Sequence, residues 1–122
     1  MSTIKIPPGG QYVKNYTVYM GDTFASPAYT VKDGGVVVDA EDSAWKLRIE
    51  TEKGGTLFVL LTNGSGITFP DGKFQWGLTA AQTAAMVAGK RYKYDIQRTR
   101  PDNVVKTFQK GVLIPVKDTT PP

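Results

Sequence analysis

Three segments of the chain alternate apolar and polar side chains with a period of two, which is typical of β-strands with one buried face. These segments are residues 45–50, 73–78 and 91–97. Strands of this kind are stable only when their apolar faces pack together, so the pattern favours stacked sheets. We expect a core between two sheets that contains Trp45, Leu47, Ile49, Phe74, Trp76, Tyr94 and Ile96.

Turn signals separate short β-type segments along most of the chain. Residues 32–35, 53–55 and 70–72 are Gly- or Pro-rich turns. About seven to nine short strands at spacings of roughly ten residues favour an all-β, antiparallel β-sandwich, with a small barrel as the alternative. A chain of 122 residues is expected to form one domain.

One segment has a different period. Residues 79–88 are Ala-rich, begin with Thr79 and carry Gln82 three positions later, and Gly89 follows them. Thr and Gln at this spacing form a capping box, and Gly commonly ends a helix. We therefore predict one short helix over residues 79–88. A bulge at Gly111 is expected to interrupt the last strand.

Composition restricts the chemistry that is available. The chain has no His and no Cys, which excludes Ser-His-Asp and Cys-His catalysis and the ordinary zinc sites within one chain. The densest carboxylate group, Asp39, Glu41 and Asp42, lacks the ligand spacing of a calcium loop. We expect no catalytic, cofactor-binding or metal-binding residues, and therefore a protein that is not an enzyme.

The positive charge lies mainly in the last third of the chain. The net charge is +4, and residues 90–117 contain eight basic and two acidic side chains. A candidate basic surface, for nucleic acid or an acidic partner, comprises Arg91, Lys93, Arg98 and Arg100. An ordinary solvated face is favoured, because the alternation places Arg91 and Lys93 on the face opposite Tyr92 and Tyr94. A nucleic-acid- or carbohydrate-binding module, with Trp45 or Trp76 as a stacking platform, is the alternative function.

The first twenty residues differ from the rest. Pro7-Pro8-Gly9-Gly10 separates Ile4 and Ile6 from a β-type segment that ends at Met20. We divide the chain into an N-terminal arm and first strand (1–20), a β-sandwich domain (21–119) and a tail (120–122). Ile4 and Ile6 are predicted to bind a partner, because an extended arm can add a strand to the sheet edge of another subunit.

No long apolar segment is present. The longest apolar run, residues 57–61, is far shorter than the roughly 20 residues that span a bilayer. The first residues also lack the apolar core of a signal peptide. We expect a protein made in a cytoplasm, with no membrane partner.

From Gly21 onward the order of motifs resembles a family of bacteriophage tail and baseplate β-sandwich domains, typified by the N-terminal domain of upper baseplate proteins, together with small virion proteins. The most specific part is Leu-Thr-Ala-Ala-Gln-Thr at residues 78–83, followed by Gly89 and by Tyr-Lys-Tyr-Asp-Ile at residues 92–96. Further matching pieces lie at residues 21–24, 32–34, 38–39, 47–49, 66–69, 71–74, 107–111 and 118–119.

The resemblance covers about four fifths of the chain and implies an immunoglobulin-like sandwich without catalytic residues. It also implies a virion structural protein, an adaptor or connector in the tail, baseplate or fibre attachment, or a capsid decoration protein. Its partners would be other virion proteins and copies of itself, and nucleic acid is not expected among them. Family domains often head a longer fibre protein, whereas this chain stops at Pro122, and residues 2–20 have no counterpart in those domains. We therefore expect a free-standing subunit.

Overall fold

The computed structural model describes residues 12–117, and it is an all-β domain with one short helix, as the sequence predicts. Its elements are β1 (Tyr12–Val13), β2 (Tyr16–Met20), β3 (Phe24–Ala25), β4 (Val31–Asp33), β5 (Val36–Val38), β6 (Ala44–Thr51), β7 (Leu57–Asn63), β8 (Gly66–Thr68), β9 (Gln75–Leu78), α1 (Ala80–Ala84), β10 (Tyr92–Thr99) and β11 (Val105–Lys117).

Nine of the strands form one sheet in the order β1-β11-β10-β6-β7-β8-β9-β3, and β2 also pairs with β11. An immunoglobulin-like sandwich places its strands in the orders B-E-D and G-F-C. Here the order β3-β9-β8 corresponds to B-E-D, and the order β11-β10-β6 corresponds to G-F-C. Strand β7 adds one more strand beside β6. Strands β4 and β5 form a separate hairpin.

Three ladders are parallel, which the sequence did not predict. Both β1 and β2 run parallel to β11, and β7 runs parallel to β8. The predicted first strand is therefore divided in two, and both parts belong to the main sheet. Strand β3 ends at Ala25, and Pro27 soon after it supplies no N–H to a ladder.

The two halves of the sheet face each other across an aromatic core. The ring centroids of Trp45 and Phe74 are 4.2 Å apart, and those of Trp76 and Tyr94 are 5.5 Å apart. The structure buries all seven residues of the expected core, each at most 2% exposed. At the start of β10 the Tyr92 hydroxyl accepts a hydrogen bond from the Val87 N–H. This contact has the form of the tyrosine corner of immunoglobulin domains.

The helix is capped as predicted but is shorter than expected. Thr79 accepts from the Gln82 N–H, and the Gln82 side chain accepts from the Thr79 N–H, which completes the capping box. The helix ends at Ala84 rather than at residue 88. The chain turns there because Met86 packs into the core and the Val87 N–H bonds to Tyr92.

The bulge of β11 lies at Phe108 and not at Gly111, so the predicted position was wrong. Ile96 faces Gln109 and Gln97 faces Thr107, which leaves Phe108 without a partner in the ladder. As a result, Phe108 packs beside Trp45 while the adjacent Gln109 is also buried. No helix among the described residues is long and apolar enough to cross a membrane.

Candidate functional site

The carboxylate group of Asp39, Glu41 and Asp42 forms a capped turn in which Asp39 has a structural role. Asp39 accepts a hydrogen bond from the Glu41 N–H at 2.9 Å and caps the 3₁₀ turn Ala40–Asp42. Within residues 12–117 no group of three or more His, Cys, Asp or Glu side chains is placed to hold a metal ion. The geometry of this turn gives no ligand set.

Arg98 does not belong to a basic surface, which corrects the sequence-based assignment. Its side chain is buried on the inward face of β10, in phase with Tyr94 and Ile96. Its Nε donates to the Ser43 hydroxyl at 2.8 Å, and its two Nη atoms donate to the two carboxylate oxygens of Asp33 at 2.6 and 2.9 Å. These bonds use the guanidinium, so Arg98 is not available to a polyanion.

Two of the other basic candidates, Arg91 and Arg100, are paired with carboxylates. Arg100 bonds to Asp102 at 2.7 Å, and Arg91 lies 3.6 Å from Glu52. Both pairs are at least partly exposed, so each is weak. They nevertheless reduce the positive potential of this region.

The third of these candidates, Lys93, is exposed beside a carboxylate on the outer face of β10. Burial, and to a lesser extent the charge of Glu50, raises the pKa of Asp95 above its usual range. Arg48, Lys93 and Lys110 oppose that shift. This outer face therefore mixes both signs of charge and does not form a uniform basic patch.

The hairpin of β4 and β5, which we call the valine hairpin (residues 31–38), carries the two most exposed large hydrophobic side chains in the described part of the chain. Val36 and Val37 are 65% and 63% exposed. Among the described residues its strands pair only with each other. The Arg98–Asp33 contact fixes the end of β4 against the sandwich, while Val31 lies in the core. The hairpin is thus held at its base by Val31 and at its turn end by Asp33, and it presents Val36 and Val37 to solvent.

A groove, which we call the edge groove, lies where β7 and β9 separate. Strand β7 pairs with β8 only through Thr62 and Asn63, and β8 pairs with β9 only through Ile67 and Thr68. Within residues 12–117, residues 57–61 therefore lack a ladder partner on one side. The groove is lined by residues of β3, β7, β8, β9 and the start of α1, among them Leu60, Leu61, Gly66, Trp76, Leu78 and Thr79.

Neither tryptophan is placed as a sugar-stacking platform. Trp45 is buried and donates its indole N–H to the Ala40 carbonyl at 2.8 Å. Trp76 is buried against Tyr16, Phe24 and Tyr94. Its Nε1 is buried and has no hydrogen-bond partner among residues 12–117. A ring that stacks on a sugar needs an exposed face, which neither residue offers.

Ile4 and Ile6, the predicted partner-binding residues, lie outside the described residues. The hairpin-type turn at residues 32–35 was predicted from the sequence, but the exposure of the valine hairpin and the Arg98–Asp33 contact were not. A signal for the contact did exist, because Arg98 follows Tyr94 and Ile96 at intervals of two residues and so falls on the buried face. An Arg on that face requires an acidic partner.

No protein-family model matches the chain, and no curated protein matches it. Among solved structures, the extracellular domains 3–5 of Drosophila OTK are similar to it, with a TM-score of 0.34 and 13% sequence identity. That alignment covers 93% of this chain and 35% of the other, so the chain spans about a third of the length of that structure. A likeness this distant indicates no function.

Proposed function

We propose that this chain is a structural protein of a bacteriophage virion that acts by protein–protein assembly and not by catalysis. It serves as an adaptor or connector in the tail, baseplate or fibre attachment, or as a capsid decoration protein. Its partners are other virion proteins and copies of itself, and it reaches the virion after synthesis in the host cytoplasm. The virion assignment derives from the order of motifs between residues 21 and 119.

The observation that carries the assembly role is the exposure of Val36 and Val37 on an anchored hairpin. Both valines are more than three-fifths exposed. A partner that covers them stabilises the complex by about 25 cal/mol per Å² of apolar surface removed from water. The turn end of the hairpin is held by Arg98 and Asp33 and its base by the buried Val31, so docking orders few additional residues. A preorganised apolar projection suits a binding contact.

The alternative, a nucleic-acid- or carbohydrate-binding module, is less favoured. Arg98 is buried, Arg91 and Arg100 face carboxylates, and both tryptophans are enclosed in the core. Binding to a phosphate backbone releases counterions and weakens steeply with salt. That dependence separates the two functions experimentally.

The test is to quantify this protein by mass spectrometry in particles purified from cells that carry the encoding genome. We expect a fixed copy number per particle that survives a wash at high salt, together with no retention on immobilised DNA at physiological salt. Absence from the particles, or salt-dependent retention on DNA, would contradict the proposal. A wash with concentrated serum albumin serves as the control, because it displaces protein that is only adsorbed to the particle surface.

A further inference from the structure

We propose that the edge groove of one copy accepts residues 2–6 of a second copy as an added β-strand. This inference rests on the proposed assembly function and names one contact that would perform it. The groove and the segment are complementary in three respects, namely the free strand edges, the apolar lining and the length of the strand that fits.

The register of the sheet defines the vacant position. Because β7 runs parallel to β8 with Thr62 opposite Gly66, the line of β8 extended beyond Gly66 passes beside Leu61 and Leu60. Because β8 runs antiparallel to β9 with Ile67 opposite Trp76, Gly66 lies opposite Gly77, and the same line beyond Gly66 passes beside Leu78 and Thr79. The groove is lined by both flanks, so an extended segment there continues the position of β8 between them.

Backbone groups on both flanks are open to such a strand. The second edge of β9 pairs with β3 through Gly77 and Leu78, which leaves the edge that faces the groove without a ladder partner in residues 12–117. Within the same described range, residues 57–61 of β7 also lack a ladder partner on the edge that faces the groove. Strands in a sheet lie about 4.8 Å apart, so a single strand placed here gains hydrogen bonds on two sides.

The lining of the groove suits a segment with apolar side chains at alternate positions. Leu61, Trp76 and Leu78 lie on its inner side and belong to the core. In residues 2–6, Ile4 and Ile6 share one face of an extended strand and Lys5 projects from the other. The two isoleucines therefore meet the apolar side while Lys5 remains in solvent.

The length of the segment matches the length of the free edge. Residues 57–61 provide five positions on the free edge of β7, and residues 2–6 are the five residues that directly precede Pro7. Pro7 has no N–H and cannot continue a central strand, so pairing ends there. Pro8, Gly9 and Gly10 follow and let the chain leave the groove.

The occupant belongs to a second copy because of where β1 lies. Strand β1 pairs with β11, and both β10 and β6 separate β11 from β7. At about 4.8 Å per strand, β1 and β7 are roughly 19 Å apart across the sheet. Residues 7–11 of the same copy would have to run straight across the sheet face to bridge this gap, whereas a neighbouring copy can approach the groove directly.

Disulfide trapping between two differently substituted full-length proteins tests the contact, since the chain itself has no cysteine. A Lys5→Cys protein is mixed with a Leu60→Cys protein, since both side chains face solvent in the docked strand, and in parallel with an Ile114→Cys protein as the matched control. Leu60 and Ile114 are similarly exposed, at 44% and 40%, but Ile114 lies on β11 away from the groove. We expect roughly tenfold more mixed disulfide with Leu60→Cys, because docking raises the local thiol concentration.

A second measurement is the molar mass in solution by light scattering. The full chain should exceed its monomer mass of 13.3 kDa at high concentration. Ile4→Asp/Ile6→Asp should return it to the monomer mass, and Lys5→Ser should leave it unchanged. Equal yields of mixed disulfide with Leu60→Cys and Ile114→Cys would overturn the inference. So would an Ile4→Asp/Ile6→Asp protein with the same molar mass as the parent.

The two proposals fail separately. A protein that is monomeric at every concentration but present in purified particles would overturn the strand contact and leave the proposed function intact. A protein that self-associates through the groove but is absent from particles would overturn the virion role and leave the contact intact.

Discussion

Arg98 contacts both carboxylate oxygens of Asp33, with Nη1 2.6 Å from Oδ1 and Nη2 2.9 Å from Oδ2. The contact joins the main sheet to the valine hairpin across 65 positions of sequence. Arg98 is the more deeply buried partner, and its Nε also donates to Ser43. The charge of Arg98 is therefore satisfied only while the hairpin stays docked.

Asp33→Asn should destabilise the domain by about 1–2 kcal/mol. The variant keeps the shape of the side chain but removes the charge that a buried guanidinium needs, and the 34% exposure of Asp33 limits the loss through solvent screening. Chemical denaturation measures it. Asp102→Asn is the control, since it removes the acidic partner of the more exposed Arg100 and should cost under about 0.5 kcal/mol.

The same ion pair should make stability depend on pH. The hydrogen bonds from Arg98 hold the pKa of Asp33 below its usual range. A lowered pKa in the folded state adds stability above the unfolded-state value of about 3.9, and this gain is lost as the pH falls through the folded-state pKa. The difference between the parent and Asp33→Asn should be constant from pH 7 to 5 and shrink below about 4. A difference that grows toward low pH would contradict this.

Trp76→Ala should cost about 3–5 kcal/mol, because the transfer free energy of the ring is lost and a cavity remains. The ring contacts Tyr16, Phe24 and Tyr94 at the centre of the sandwich. Tyr19→Ala is the matched control, since Tyr19 is 55% exposed on β2 and its loss should cost little. Similar melting temperatures for both variants would show that Trp76 is not a core anchor.

Thr79→Ala should cost about 1 kcal/mol through loss of the helix cap. Gln82→Ala removes the reciprocal bond to the Thr79 N–H. Since each bond orders the other residue, the double variant should lose less than the sum of the two single variants. Strictly additive losses would mean that the two bonds act independently.

Gly111→Ala should destabilise the domain by about 1–3 kcal/mol. A Cβ at this position would overlap the Lys14 carbonyl oxygen, which also accepts a 2.5 Å hydrogen bond from the Tyr94 hydroxyl. The chain passes close over β11 here, between β1 and β2. Lys110→Ala, one residue earlier and exposed, should be nearly neutral. An unchanged melting temperature for Gly111→Ala would show that the chain does not pass this closely.

Local patterns predicted the strands with regular alternation. Trp45, Trp76 and Tyr94 lie inward because their neighbours alternate without interruption, and the Thr79–Gln82 box is complete within four residues. The parallel ladders and the Arg98–Asp33 contact depend on residues far apart in sequence, which period and propensity do not encode. The bulge was misplaced because Gly111 is a local signal, whereas the unpaired position at Phe108 is set by the pairing of β10.

The central claim is that exposed surfaces of this sandwich bind other virion proteins, and its most direct test is the incorporation of a valine-hairpin variant. Val36→Asp/Val37→Asp should melt close to the parent, because both side chains are exposed and their removal leaves no cavity. The account predicts that purified particles contain the parent at a fixed copy number and lack the folded variant. Equal copy numbers of parent and variant would contradict it.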